Sequence, residues 1–125
     1  MHISFNFLCI FFVTSSLADW EYVGKTKKGY ELYVDYNSLK MSLGHRYFFG
    51  LYNFDKPNSF GTRSVIAYYK LSCVTLMYKS INDKMFKKQM GKGDYRENYK
   101  PYENWRKSDN QNFSKIMEEF CRIRS

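Results

Sequence analysis

The stretch SVIAYYKLSC, residues 64–73, decides the fold, because its apolar side chains recur at every second position. Such alternation is typical of a β-strand with one buried face. That face would carry Val65, Ala67, Tyr69, Leu71 and Cys73. Cys73 is therefore predicted to point inward. The run extends to residue 80 and is the longest strand that the pattern predicts.

The C-terminal stretch FSKIMEEFC, residues 113–121, has a helical period instead. Its apolar residues lie at i, i+3, i+4, i+7 and i+8: Phe113, Ile116, Met117, Phe120 and Cys121. This stripe predicts an amphipathic helix, and Ser108 with Gln111 forms a candidate capping box at its start. Cys121 lies on the apolar stripe and Cys73 on the inward strand face. A disulfide between them would join the helix to the sheet.

Further segments complete a predicted antiparallel sheet. Residues 20–23 and 30–35 flank a turn-like Lys-Lys-Gly and predict a hairpin. Residues 46–54 are apolar on both faces, which favours a central strand. A single helical turn, capped by Asp35 or Asn37, is expected next to the second strand. Residues 84–89 predict another strand, whereas residues 94–107 read as polar and irregular. The fold class is α+β, an antiparallel β-sheet with a C-terminal α-helix packed on one face.

Residues 1–18 have the pattern of a secretory signal peptide. Their apolar run, residues 5–13, would span only about 13 Å as a helix, against roughly 30 Å of bilayer hydrocarbon, which disfavours a transmembrane helix. Ser16 and Ala18 supply the small side chains that signal peptidase needs, so a domain of residues 19–125 would remain. The alternative is a buried N-terminal strand. The interpretation as a signal predicts an exported protein, in the periplasm or on the cell surface.

Cysteine usage agrees with export. Removal of residues 1–18 leaves Cys73 and Cys121, and an even number in an exported chain indicates one disulfide. The closed loop of about 49 residues corresponds to roughly 4 kcal/mol of stability in the chain-entropy model. Two unpaired thiols are the alternative if the segment is no signal.

The sequence offers little for catalysis or for metal binding. His45 is the one histidine of residues 19–125, and the spacing brings no nucleophile such as Ser42 or Ser64 towards it. One histidine and two oxidised cysteines cannot complete a zinc site. No GxGxxG, Walker, HExxH or CxxC pattern occurs. We therefore expect a protein that is not an enzyme and that has no cofactor and no metal.

Positive charge is the feature that points to partners. Residues 84–107 hold eight basic and three acidic residues, which is +5 of the net charge of +8. The basic residues are Lys84, Lys87, Lys88, Lys92, Arg96, Lys100, Arg106 and Lys107. Tyr95, Tyr99 and Tyr102 alternate with them, and tyrosine is favoured at interfaces. These eleven residues form a candidate anion-binding or partner-binding surface. A solvated face that only keeps the protein soluble is the alternative.

The order of these landmarks resembles the surface-adhesin protein E-like family of small exported bacterial proteins. The resemblance rests on WEYVG at residues 20–24, YVD at 33–35 followed by Ser38-Leu39, the strand from Ser64 to Cys73, Trp105, and the helix that ends in Cys121. It implies an antiparallel sheet with a helix on one face and the paired cysteines as its disulfide. Asp35, Ser38 and Trp105 then look structural. The basic stretch and the many tyrosines depart from the family.

The resemblance implies an adhesin-like function. We expect a non-enzymatic envelope or surface protein that binds a host protein or an anionic glycan outside the cytoplasm. A periplasmic inhibitor of a secreted enzyme is the alternative. Nucleic acid is not expected for an exported chain, and no transmembrane span is expected after cleavage of the signal. Exposed sheet edges offer a route to a homodimer or to strand addition by a partner.

Overall fold

The computed structural model describes residues 18–99 and 102–124, with the backbone alone at 102 and 103. The predicted signal peptide therefore lies, except for Ala18, outside the described residues. The strands are β1 (Trp20–Lys25), β2 (Glu31–Ser42), β3 (His45–Asn53), β4 (Ser64–Ser72), β5 (Tyr78–Lys88), β6 (Lys92–Asn98) and β7 (Tyr102–Arg106). A short 3-10 turn, Gln89–Gly91, joins β5 to β6, and helix α1 (Gln111–Arg122) follows β7.

The seven strands form one antiparallel sheet in the order β1-β2-β3-β4-β5-β6. β7 pairs with the first part of β5, whereas β6 pairs with its later part. β6 and β7 therefore follow one another along the same side of β5. The predicted fold class, the first hairpin and the central position of β3 are confirmed.

Helix α1 covers one face of the sheet, called here the helix face. Its buried Phe113, Ile116, Met117 and Phe120 confirm the predicted stripe. Phe48 is fully buried beneath it, with its ring 4.9 Å from that of Phe120 and 6.0 Å from that of Phe113. The remaining core residues on this face include Val23, Leu32, Val34, Ala67, Tyr69, Leu71 and Tyr78. Removal of these large apolar groups from water is the main contribution to folding.

Two sets of contacts fix the C-terminal end of α1. At its C-terminal end the Cys73–Cys121 disulfide joins it to the end of β4, with 5.5 Å between the Cα atoms. Beside this disulfide Arg46 donates to the backbone oxygens of Phe120 (2.9 Å) and Ile123 (3.0 Å). The predicted fastening of helix to sheet is confirmed.

The predicted capping box at the helix start is wrong. The N-cap is Asn110, whose Oδ1 accepts a hydrogen bond from the Phe113 backbone N–H at 2.9 Å. Ser108 instead fixes the residue that caps the helix, because its hydroxyl accepts a hydrogen bond from the Asn110 backbone N–H at 3.0 Å. Both residues have side chains suited to capping, and the position of the first turn decides which one caps it.

The long run of residues 64–80 is two strands rather than one. β4 ends at Ser72, and a turn leads into β5 at Tyr78. The Ser72 N–H donates to the Met77 oxygen and the Leu76 N–H to the Ser72 oxygen, which closes the turn. Leu76 has a φ of 56° without being glycine, so the usual signal of a tight turn is missing. Cys73 lies in this turn, directly after the strand.

Two other predictions need correction. Residues 94–107 are not irregular, because they contribute β6 and β7, and β5 runs from Tyr78 rather than from residue 84. The expected helical turn after Asp35 is a β-bulge inside β2, where the pairing with β3 shifts between Asp35 and Lys40. Asp35 nevertheless accepts the Asn37 backbone N–H at 3.1 Å, as a turn cap would.

Candidate partner-binding surface

The predicted basic residues divide into two groups in the structure. Lys84, Lys87, Lys88, Lys92 and Arg96 lie on paired β5 and β6, and we call them the basic edge. Arg106 ends β7 and Lys107 follows it, and both line a cavity on the helix face. Lys100 lies outside the described residues. The sequence thus predicted the charge correctly but not its division between two places.

Strand β6 presents the basic edge to solvent. All seven of its residues are exposed, and it is the last strand on its side of the sheet. Its register with β5 sets Lys92 opposite Lys88 and Arg96 opposite Met85. Two lysines directly opposite each other repel. A negatively charged group bound between them would relieve that repulsion.

Aromatic rings support several of these cations. The Lys84 ammonium lies 5.1 Å from the ring centre of Tyr95, and the Arg96 guanidinium lies 5.4 Å from that of Phe60. Lys87 Nζ donates to the Phe60 backbone oxygen at 3.2 Å. Such contacts hold the long side chains in place while their charged ends stay near water. The basic edge is therefore partly ordered before any partner arrives.

The three predicted tyrosines have different surroundings. Tyr95 is 52% exposed, and its ring packs 5.1 Å from that of Phe86. Tyr99 is 70% exposed, and the nearby Glu97 carboxylate is the main cause of its raised pKa. Tyr102 pairs with Ser80 through its backbone, and its side chain lies outside the described part. Tyr95 and Tyr99 are thus available for contact beside the basic edge.

A second aromatic surface lies on the sheet face away from α1, called here the open face. The Tyr68 ring lies 4.5 Å from Phe49 and 6.0 Å from Tyr47, across paired β3 and β4. Lys70 lies 5.9 Å from the Tyr47 ring centre, and Phe49 is 39% exposed. The sequence showed that β3 is apolar on both faces. Because that pattern suggested burial on both, this surface was missed.

Trp105 closes one end of the open face. Its ring stacks at 6.1 Å on that of His45, and the Lys79 ammonium lies 4.8 Å from its centre. The tryptophan is half-buried. His45 therefore lies against an indole ring that also contacts a lysine.

The turn between β5 and β6 covers the other end of the open face. The Met90 N–H donates to Asn53 Oδ1 and the Gly91 N–H donates to the Ser64 hydroxyl, both at 2.9 Å. Gly91 has a φ of 68°, and a Cβ there would lie 2.6 Å from Ile66 Cδ1. Only glycine fits this close approach. The turn fixes where β6, and with it the basic edge, begins.

Asp35 and Ser38 act within the bulge of β2. The Ser38 hydroxyl donates to the Asp35 backbone oxygen at 2.6 Å and accepts the Phe49 N–H at 2.9 Å. It replaces the ladder hydrogen bond that the bulge interrupts. Burial raises the pKa of Asp35, while the hydrogen bond from Asn37 opposes that shift. Asp35 and Ser38 thus hold the bulge of β2 through hydrogen bonds with backbone groups.

No three His, Cys, Asp or Glu side chains meet as metal ligands among residues 18–99 and 102–124. In the same part of the chain, no helix is both long and apolar enough to cross a membrane.

Comparison with known proteins identifies the family. The model of the surface-adhesin protein E family matches residues 20–122. No curated protein matches the chain in sequence. The crystal structure of protein E from non-typeable Haemophilus influenzae has a similar fold, with a TM-score of 0.57 and 17% identity over 78% of this chain and 72% of that chain. At that identity the structural likeness concerns the fold, whereas the family match extends over nearly all described residues. The chain therefore belongs to the surface-adhesin protein E family.

Proposed function

We propose that this chain is an exported, non-enzymatic surface adhesin that binds a host protein or an anionic glycan along its basic edge. Membership of an adhesin family supports the general role. The observation that carries the partner class is the fully exposed β6, with Lys92 opposite Lys88 and two exposed tyrosines close by.

The charge of the edge fits a polyanionic partner. A cluster of positive charges on the surface attracts an extended anion from solution. Salt weakens that attraction, because the Debye length limits its range to about 8–10 Å at physiological ionic strength. Exposed Tyr95 and Tyr99 add large rings with polar tips, which suit protein and sugar contacts equally. Charged residues also protect edge strands from unwanted pairing. The experiment must therefore separate binding from protection.

Binding can be measured by surface plasmon resonance on immobilised heparin and on extracellular-matrix proteins. The oxidised protein is compared with the variant Lys88→Gln/Lys92→Gln/Arg96→Gln. We expect about tenfold weaker binding by the variant and a smaller salt dependence. The matched control, Lys25→Gln/Lys40→Gln/Lys115→Gln, removes the same charge from exposed positions elsewhere.

Equal binding by both triple variants would assign the attraction to net charge and contradict a role for the basic edge. Self-association of the basic-edge variant without loss of binding would identify those charges as edge protection. Export is tested separately, by a non-reducing mass measurement on protein from the cell envelope. Cleavage after Ala18 is the expected result, and an intact leader on a cytosolic species would refute export.

A further inference from the structure

A cavity of about 570 Å³ opens on the helix face, beyond the N-terminal end of α1. It lies between the β1–β2 turn and the end of β7, with β4 and β5 beneath it. Its lining includes Tyr30, Phe54, Val65, Tyr69, Tyr78, Asp83 and Arg106. The volume falls in the range of about 300–1,000 Å³ that small-ligand sites occupy.

The walls of this cavity are largely aromatic. The rings of Tyr30 and Phe54 lie 4.5 Å apart, and those of Tyr69 and Tyr78 lie 5.3 Å apart, edge to face. Ala67 is small and no helical side chain lines the cavity over it, which leaves room between the two pairs of rings. The cavity thus offers flat apolar surfaces to a ring-shaped ligand.

Hydroxyl groups converge at the bottom of the cavity. Tyr69 is fully buried, and its hydroxyl oxygen has no hydrogen-bond partner of good geometry among the described residues. Burial raises the pKa of both Tyr69 and Tyr78, and the nearby Tyr52 hydroxyl adds to both shifts. A buried hydroxyl is costly unless another group pairs with it, and Tyr52 is the neighbour that interacts with that of Tyr69.

A cation and a carboxyl group also line the cavity. The Arg106 guanidinium lies 4.9 Å from the ring centre of Tyr78, and its charge acts on Tyr69, Tyr78 and Asp83. The Asp83 carboxylate accepts the Ser80 hydroxyl at 2.5 Å. Burial raises the pKa of Asp83 against the lowering effects of Ser80 and Arg106. Acceptor, donor and positive charge therefore meet within one aromatic enclosure.

We propose that this cavity binds one carboxylated sugar unit, such as a uronic or sialic acid residue. A pyranose ring has an apolar face for the aromatic walls, hydroxyls for Asp83 and the tyrosines, and a carboxylate for Arg106. An apolar ligand would make no use of the Arg106 charge, and a free phosphate would make no use of the aromatic walls. The inference rests on the proposed function, since it names the acidic unit of the anionic glycan.

Isothermal titration of the oxidised protein with glucuronate and with glucose tests this inference. The two sugars differ in the carboxylate, so we expect glucuronate to bind about tenfold more tightly, as for one charge-assisted hydrogen bond. N-acetylneuraminate is the second acidic probe. Equal affinity for glucuronate and glucose, or no binding of either acidic sugar, would overturn the proposal.

Variants at two positions act on the cavity by different means. Arg106→Gln should lower glucuronate affinity about tenfold while leaving glucose unchanged, and Arg106→Lys should restore part of the loss. Val65→Phe should fill the cavity and abolish binding of both sugars without any change in charge. Lys40→Gln, which removes an exposed charge away from both the cavity and the basic edge, is the control and should bind glucuronate as the wild type does. Loss of binding in the control alone would overturn the cavity as the site.

Each variant is checked for folding by its near-ultraviolet circular dichroism and its Tm. The two proposals fail independently. Loss of heparin binding in the basic-edge triple variant with retained glucuronate binding would support the cavity as a separate subsite. Glucuronate binding without adhesion to any polymer or matrix protein would refute the adhesin function alone. Adhesion by a protein that binds neither glucuronate nor N-acetylneuraminate would refute the cavity proposal alone.

Discussion

Removal of the Cys73–Cys121 disulfide is expected to lower the free energy of unfolding by about 4 kcal/mol. The two cysteines are 48 residues apart in the sequence, and the disulfide closes that loop in the unfolded chain. The chain-entropy relation assigns about 4 kcal/mol to a loop of this length. Small domains have about 5–15 kcal/mol in total, so the loss is a large share. Helix α1 should still dock, because Phe113 and Phe120 stay buried against Phe48.

The assay is guanidinium chloride denaturation of the oxidised wild type and of Cys73→Ser/Cys121→Ser. The reduced wild type is the matched control, since it lacks the crosslink but keeps both sulfur atoms. We expect the variant and the control to agree and to have a steeper dependence on denaturant, because the open chain exposes more surface on unfolding. A loss below about 1 kcal/mol would refute the entropic argument. It would mean that residual structure already confines this loop in the unfolded chain.

Four further changes test particular contacts. Phe120→Ala should cost about 3–5 kcal/mol in denaturant unfolding, because its buried ring packs on Phe48; a cost below 1 kcal/mol would contradict that burial. Asn110→Ala should cost about 1 kcal/mol as an N-cap, with Ser114→Ala as a nearly neutral comparison. Gly91→Ala should lower the Tm by the equivalent of at least about 1 kcal/mol, since its φ is 68° and its Cβ would meet Ile66; an unchanged Tm would show that the turn rearranges. Asp83→Asn should flatten the pH dependence of the free energy of unfolding. The pKa of Asp83 is raised in the folded protein, so the stability that its protonated form contributes is complete below the unfolded pKa and is lost as pH rises. The variant should therefore lose less stability than the wild type between about pH 4 and neutral pH.

The buried parts of the fold were predictable because burial leaves a period in the sequence. Alternation at residues 64–72 predicted β4, and the helical stripe of Phe113 to Phe120 predicted α1. The two patterns together predicted the disulfide. Each of these segments has one face in the core, so selection for apolar residues acts on a fixed face.

The edge of the sheet left no such period. Every residue of β6 is exposed, so polar residues occupy both of its faces and the segment resembles a loop. The turn after Ser72 was missed for another reason, since Leu76 takes a positive φ without glycine. Both β6 and the turn after Ser72 depend on strand pairing with β5, and a local sequence pattern does not show which strands pair.

The candidate sites were predictable in composition but not in arrangement. The basic edge was visible as a run of charge within one stretch of chain. The cavity, in contrast, unites Tyr30 from one hairpin, Tyr69 from β4, Asp83 from β5 and Arg106 from β7. These residues are far apart in sequence, and each has an ordinary local role as a ring, a strand residue or a surface charge. Only the tertiary fold brings them together.

A single mismatch of lengths explains why a cavity exists on the helix face. Helix α1 has 12 residues and is about 18 Å long, whereas the 12 residues of β2 extend to about 40 Å. The first helical turn is held from two sides, since Asn112 donates to the Val23 oxygen of β1 and Phe113 packs on Tyr78 of β5. Strands four places apart in the sheet both reach one turn of helix, so the sheet curves around α1. The part of the sheet that extends beyond the helix end is not covered by α1, and the cavity lies there. Aromatic, hydroxyl and charged side chains line that space, where a longer helix would have required an apolar core.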